Sequence, residues 1–173
     1  IGKTLSGADL SVEGYRFTNG DGPSTYLQGG THGGEITYPI FSNLKSHLED
    51  NDFKGTITLV PISNPISWMQ RLYFYTAGKF SMYDGKDWNW FFPGNPEGTT
   101  AQRFADMVFS EAQKHDFVID LHTSRWSKPF LIIGNEKYLP MAKEMGISHT
   151  YLMDLVKAAK AKGITPLSGA IDE

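Results

Sequence analysis

Cysteine is absent from this chain. Disulfide scaffolding and thiolate ligation are therefore excluded, and any bound metal must use histidine and carboxylate ligands. Long apolar runs are also missing, so no segment reads as a membrane span. The opening Ile1-Gly2-Lys3-Thr4 lacks the form of a secretory signal. Charge of one sign is scarce: 16 basic against 19 acidic residues leave a net charge of −3. Neither nucleic acid nor an anionic membrane has an electrostatic reason to bind. No basic block or low-complexity tract is present. The lack of cysteine fits a cytoplasmic protein, and these absences predict no nucleic-acid or membrane partner.

Hydrophobic residues make up 40% of the chain and charged residues 20%, which fits a folded globular protein. A length of 173 residues suits one domain or most of one. The chain begins at Ile1 and stops at Ile171-Asp172-Glu173 with no closing element. The expectation is a single catalytic domain over 1–173 whose C-terminal part is missing.

Strands are expected at residues 12–17, 25–28 and 56–61, with a tight turn at 19–23 between the first two. Tyr38, Ile40, Phe41, Leu44 and Leu48 recur at helical spacing, predicting an amphipathic helix over 37–50. Residues 66–97 read as a long irregular loop rich in aromatics, Gly and Pro. Thr99 or Thr100 can cap a helix running to about His115, with Phe104, Met107, Val108 and Ala112 inward. Residues 117–121 form a short apolar strand, expected to be central in a sheet, and 130–133 another. Helices are expected at 136–145 and 154–162. This alternation predicts an α/β sandwich with a mixed, largely parallel central sheet flanked by helices.

Ligands of such folds collect at the carboxyl ends of strands. His32 follows one strand end, in Thr31-His32-Gly33-Gly34-Glu35, and His122 closes another, in Asp120-Leu121-His122-Thr123. The three-residue spacing puts His32 and Glu35 on one side of a turn. Glycines let that turn approach a ligand closely. Two histidines and a glutamate are a standard ligand set for a catalytic zinc ion with one position left for water. A plain Gly-rich turn, with Glu35 in the first turn of a helix, would explain the first motif equally well. Alternation along the 117–121 strand puts Asp120 on the same face as His122, as a possible orienting carboxylate.

Five segments in order resemble the zinc carboxypeptidase superfamily, in its succinylglutamate desuccinylase/aspartoacylase branch. They are Gly29-Gly30-Thr31-His32-Gly33-Gly34-Glu35, Asn64-Pro65, Arg71, Asp87-Trp88-Asn89-Trp90-Phe91-Phe92-Pro93-Gly94 and Asp120-Leu121-His122-Thr123. The resemblance spans roughly residues 12–173. It implies a three-layer carboxypeptidase-like sandwich and a zinc-dependent amide hydrolase, of metallopeptidase or N-acyl amino acid deacylase type, using metal-activated water on a small-molecule or short-peptide substrate. It implies zinc ligation by His32, Glu35 and His122. Asp87 would hold a ligand histidine from behind, Arg71 would polarise the scissile carbonyl and stabilise the oxyanion, and Asn89 would contact substrate. It also places a general-base glutamate on a strand later than residue 173; Glu173 falls too early to take that role.

The family pattern Asp-x-Asn-Arg ends here in Trp90. Tryptophan cannot make the bidentate pair an Arg fork makes with a carboxylate. Trp88, Trp90, Phe91 and Phe92 could instead line an apolar substrate pocket, or pack in the core. Arg125 and Lys128 are candidates for a displaced anion anchor. The rival reading is a catalytically impaired ligand-binding domain that keeps the fold.

Overall fold

A computed structural model describes residues 2–4, 6–70, 77–123, 128–154 and 167. The chain runs β1 (Gly2–Lys3), β2 (Asp9–Leu10), β3 (Tyr15–Asn19), β4 (Ser24–Gly29), α1 (Tyr38–Asp50), β5 (Gly55–Val60) and α2 (Pro65–Met69). It continues with α3 (Thr100–Ala112), β6 (Phe117–Leu121), β7 (Leu131–Ile133), α4 (Leu139–Glu144) and β8 (Thr150–Leu152). The main sheet has the order β3-β5-β4-β6. β4 is parallel to both neighbours, and only β3 runs antiparallel. The sheet is thus mixed and largely parallel.

Alternation along the strands sends side chains to two separate cores. Tyr26 and Val60 face α3 and pack with Phe92, Phe104, Ala105, Val108 and Ala112. Leu27 and Leu59 face the other way and pack with Phe41 and Leu48 of α1. Helices therefore cover both faces, which makes three layers. Each buried Leu or Phe of these cores contributes on the order of 1.5–3 kcal/mol by leaving water. α3 begins with a complete capping box: Thr99 Oγ1 accepts from Gln102 N, and Gln102 Oε1 accepts from Thr99 N.

Strand order places the chemistry. α1 carries the chain from β4 to β5 on one side, and α3 carries it from β5 to β6 on the other. The direction of winding reverses between β4 and β6, and sheets of this kind bind ligands beyond the carboxyl ends of the strands at such a point. His32 lies just after β4 and His122 just after β6.

Four expectations need correction. β6 is not central: among the described residues it is the edge of the sheet, with all five residues half-buried. An apolar strand reports two covered faces, not two paired edges. The 66–97 segment is not wholly irregular. Asn64 caps α2 with Pro65 in its first turn, and Asp87 caps a 3-10 turn at Trp88–Trp90. Both are too short to show a hydrophobic period. The 136–145 helix is split into a 3-10 turn at Glu136–Tyr138 and α4, with Pro140, which lacks an N–H, in the first turn of α4. α1 starts at Tyr38, so Glu35 precedes the helix instead of lying in its first turn. The helix expected at 154–162 falls, beyond Asp154, outside the described residues. β1, β2 and β8 had too few residues to be seen in the sequence. No helix among the described residues is long and apolar enough to cross a membrane.

Candidate metal centre

The His32–Glu35 segment is a tight turn, closed by the Glu35 N–H donating to the His32 carbonyl at 3.1 Å. It is held from below by α2. Gly33 N donates to Ser67 Oγ at 2.6 Å, and the Ser67 hydroxyl donates to the Gly78 carbonyl. Asn64, fully buried, accepts from Ser67 N and donates to the Thr31 carbonyl at 3.1 Å. The contact is so close that a Cβ on Gly33 would sit 2.0 Å from the Ser67 carbonyl oxygen. Backbone cannot yield cheaply at that distance. Gly33→Ala is expected to destabilise the fold by about 3 kcal/mol, the upper end of ordinary overpacking. Calorimetry should then read a Tm lower by roughly 6–12 °C. An unchanged Tm would mean that α2 does not brace this turn.

The turn and the end of β6 bring three side chains together. One ligand atom each from His32, Glu35 and His122 lie within 4.8 Å of one another. Both histidines use the same arrangement. His32 turns Nδ1 toward Glu35 Oε1 at 3.1 Å and Nε2 toward Asp87 Oδ1 at 2.7 Å. His122 turns Nδ1 toward Glu35, 3.2 Å from Oε1 and 3.0 Å from Oε2, and Nε2 toward Asp120 Oδ2 at 3.0 Å. Once a ring gives up its second proton, the carboxylate behind Nε2 favours the tautomer with the remaining proton there, and the Nδ1 lone pair then faces the shared centre. Glu35 Oε2 is buried yet has no hydrogen-bond partner, because its close neighbour His122 Nδ1 lies off a hydrogen-bonding direction. An orphaned carboxylate oxygen beside two imidazole lone pairs fits a divalent ion, and this donor set suits zinc.

The electrostatics agree. Burial raises the Glu35 pKa, but hydrogen bonds from His122 and His32 outweigh it and hold the carboxyl at about 2. Burial lowers the His32 pKa, but Asp87 and Glu35 reverse the sign, and the net shift is upward. Partial burial of His122 is likewise overcome, by Asp120 first and then Glu35, and its pKa is pushed up to about 11. Asp87 lies well below the carboxylate range: burial opposes this, while His32, Lys79 and the Asn89 N–H favour the anion.

In the metal-free protein the His122 ring therefore holds its second proton at neutral pH, the upward shift of His32 acts in the same direction, and a metal must compete with protons for both rings. Apparent zinc affinity should rise with pH by about one log unit per pH unit for each displaced proton between pH 6.5 and 8. Chelator competition across that range measures the slope. A flat profile would show that the imidazoles are not the groups displaced.

The other candidate residues fall as follows. Asp87 stands behind His32, is buried, and also accepts from Asn89 N at 3.0 Å and Lys79 Nζ at 2.8 Å. Asp120 stands behind His122. Asn89 is half-buried, and its Oδ1 accepts from Leu167 N at 3.5 Å. Trp90 is 43% exposed, whereas Trp88 and Phe92 are core residues, Trp88 packing on Phe91 and Phe104. The aromatic run thus divides between core and surface. Lys128 is exposed. Arg71 and Arg125 lie outside the described residues. A cavity of 560 Å³ on the α3 face, lined by Arg16, Tyr26 and Met107 among others, touches none of the three ligand residues.

Sequence reasoning missed Lys79, Ser67 and Gln28. Lys79 pairs with Asp87 and follows no motif. Ser67 and Asn64 were readable as a capping unit, since Asn-Pro is a helix-start signal.

The model of the succinylglutamate desuccinylase/aspartoacylase catalytic domain matches residues 21–164. An N-alpha-acetyl-L-2,4-diaminobutyric acid deacetylase from Halomonas elongata is 34% identical over 108 residues, which is 60% of this chain and 29% of that protein. The crystal structure of a succinylglutamate desuccinylase/aspartoacylase family protein from Shewanella amazonensis superposes with a TM-score of 0.78 at 26% identity, over 98% of this chain and 62% of that one. A metallo-carboxypeptidase from Pseudomonas aeruginosa shares the fold, with a TM-score of 0.58 at 18% identity over 91% of this chain and 43% of that one. The chain thus spans under two thirds of the length of these relatives.

Proposed function

Because the chain belongs to the succinylglutamate desuccinylase/aspartoacylase family, we propose that it is the zinc-binding part of an amide hydrolase that removes acyl groups from N-acyl amino acids. The observation that carries this reading is the convergence of His32 Nδ1, His122 Nδ1 and the Glu35 carboxylate, each histidine backed by its own aspartate. Bound there, zinc would supply Lewis-acid activation of water and of the scissile carbonyl.

The chain's own residues do the rest. Asp87 and Asp120 keep the Nε2 protons in place, so the two rings present lone pairs to the ion without reorganising. Glu35 contributes the negative charge that offsets part of the ion's. His122, the outermost ligand with its side chain 32% exposed, marks the side open to solvent and substrate. Arg71 is proposed to stabilise the oxyanion, and Asn89 to hold the substrate beside it. Trp90 replaces an arginine fork with a flat apolar surface, which favours an N-acyl amino acid without a side-chain carboxylate. The Halomonas relative is named for one such compound, an acetylated diamino acid.

The test is metal analysis with a hydrolysis panel on the full chain. Stoichiometric zinc, with higher kcat/KM for N-acetylated neutral or basic amino acids than for N-acetylaspartate, is the expected result. Zinc without turnover would favour a binding domain, and a preference for N-acetylaspartate would remove Trp90 from specificity.

A further inference from the structure

We infer that Gln28, backed by Tyr26, is a positioning residue that braces both halves of the metal centre, His122 through Asp120 and His32 through Thr31. This deepens the metal reading above and rests on it.

The placement follows from strand register. β4 and β6 are parallel, and Gln28 pairs with Asp120, so their side chains stand next to each other on the α3 face. Gln28 is 0% exposed and Tyr26 1% exposed. The Tyr26 hydroxyl donates to Gln28 Oε1 at 3.1 Å. Gln28 Nε2 then donates twice, to Asp120 Oδ1 at 3.1 Å and to Thr31 Oγ1 at 3.1 Å. Asp120 passes the constraint on, since its other oxygen accepts from His122 Nε2. Thr31 precedes His32 directly, and its hydroxyl is 3.2 Å from Ser63 Oγ. Both amide hydrogens are thus used, one for each branch of the site.

The amide can face only one way. Turned over, its carbonyl would point at the Asp120 carboxylate and repel it. Tyr26 reinforces the choice: burial above all, then the charges of Asp120 and Glu111, keep its phenol protonated and able to donate. A buried polar chain with every member satisfied is rigid, and a half-satisfied one is costly.

The two aspartates are also treated differently. Asp87 shares its charge with the Lys79 cation near the surface. Asp120 meets a neutral amide instead, so more of its charge acts on the His122 Nε2–H. Gln28 orients Asp120 without competing for its charge.

The decisive variant is Gln28→Glu in the full chain. It keeps the side-chain shape and an acceptor for Tyr26 but loses both donors and sets a carboxylate against Asp120. Zinc affinity by chelator competition is expected to fall about 10–100-fold, the usual cost of disturbing the partners of metal ligands. The visible absorption of the cobalt-substituted protein should change in band position or intensity. Tyr26→Phe should cost less, about two- to tenfold in affinity. Leu48→Ala, in the α1 core, should lower Tm while leaving affinity and cobalt spectrum unchanged, which separates positioning from mere stability. A folded Gln28→Glu protein with affinity within twofold of wild type and an unchanged cobalt spectrum overturns the inference. If Gln28→Glu does not fold, Tyr26→Phe decides on the same two readouts. Wild-type protein that takes up neither zinc nor cobalt overturns the metal reading itself, and this inference with it.

Discussion

Glu35→Gln should lower zinc affinity by about 10²–10³ and reduce hydrolysis to background, while leaving the far-ultraviolet circular dichroism of the chain unchanged. Glu35 is the bridge of the site, touched by both His32 and His122. An amide has nearly the same shape but no charge, and it is a weaker ligand for zinc. Four-ligand structural zinc sites are worth about 10–16 kcal/mol in all, so one ligand carries roughly 2.5–4 kcal/mol. At about 1.4 kcal/mol per tenfold, that gives the two to three orders stated. The metal-free protein changes too. Without the carboxylate, the His32 and His122 rings, 5.1 Å apart between centroids, lose the anion that favours their protonated forms. The rise of metal affinity with pH should therefore be shallower in the variant. Zinc affinity equal to wild type in a folded Glu35→Gln protein would remove Glu35 from the ligand set.

On the role proposed for Arg71, Arg71→Ala should cut kcat by about 10²–10³ with Tm and zinc affinity unchanged, the usual cost of losing one oxyanion partner. The effect is electrostatic. Negative charge builds on the carbonyl oxygen only as the amide is attacked, so a guanidinium serving that oxygen would stabilise the transition state more than the bound substrate. The loss should appear in kcat/KM as well as kcat, with KM little altered. Arg71→Lys should recover only part of the rate, since an ammonium is a point charge without the planar fork. Steady-state kinetics on the zinc-loaded full chain checks this. Wild-type turnover in Arg71→Ala would exclude the residue from the chemistry. The two variants differ in kind: Glu35→Gln loses the metal, and Arg71→Ala keeps it.

The cluster of three candidate ligand residues was legible in the sequence because their spacing mirrors the topology. His32 and Glu35 share one turn after β4, and His122 closes β6. Strands that alternate with helices put those ends together. Asp120 was legible for the same reason, by alternation along a strand. The aromatic run around Trp90 was readable only in part. Composition marks Trp88, Trp90, Phe91 and Phe92 as apolar, but the 3-10 turn capped by Asp87 decides that Trp88 goes inward and Trp90 outward. Gln28 was hidden because its partner Asp120 is set by strand register, and register between distant parallel strands leaves no local trace. Lys79 was hidden for a similar reason: it reaches Asp87 across a loop. The edge position of β6 was misread because apolar character reports covered faces and says nothing of pairing.

X-ray absorption at the zinc edge of the zinc-loaded chain tests the shared centre most directly. The expected first shell contains two imidazole nitrogens at about 2.0–2.1 Å and carboxylate oxygen at about 2.0–2.2 Å. The imidazole contribution should fall by half in His122→Ala and in His32→Ala alike. A shell without imidazole, or one that neither substitution alters, would contradict the account.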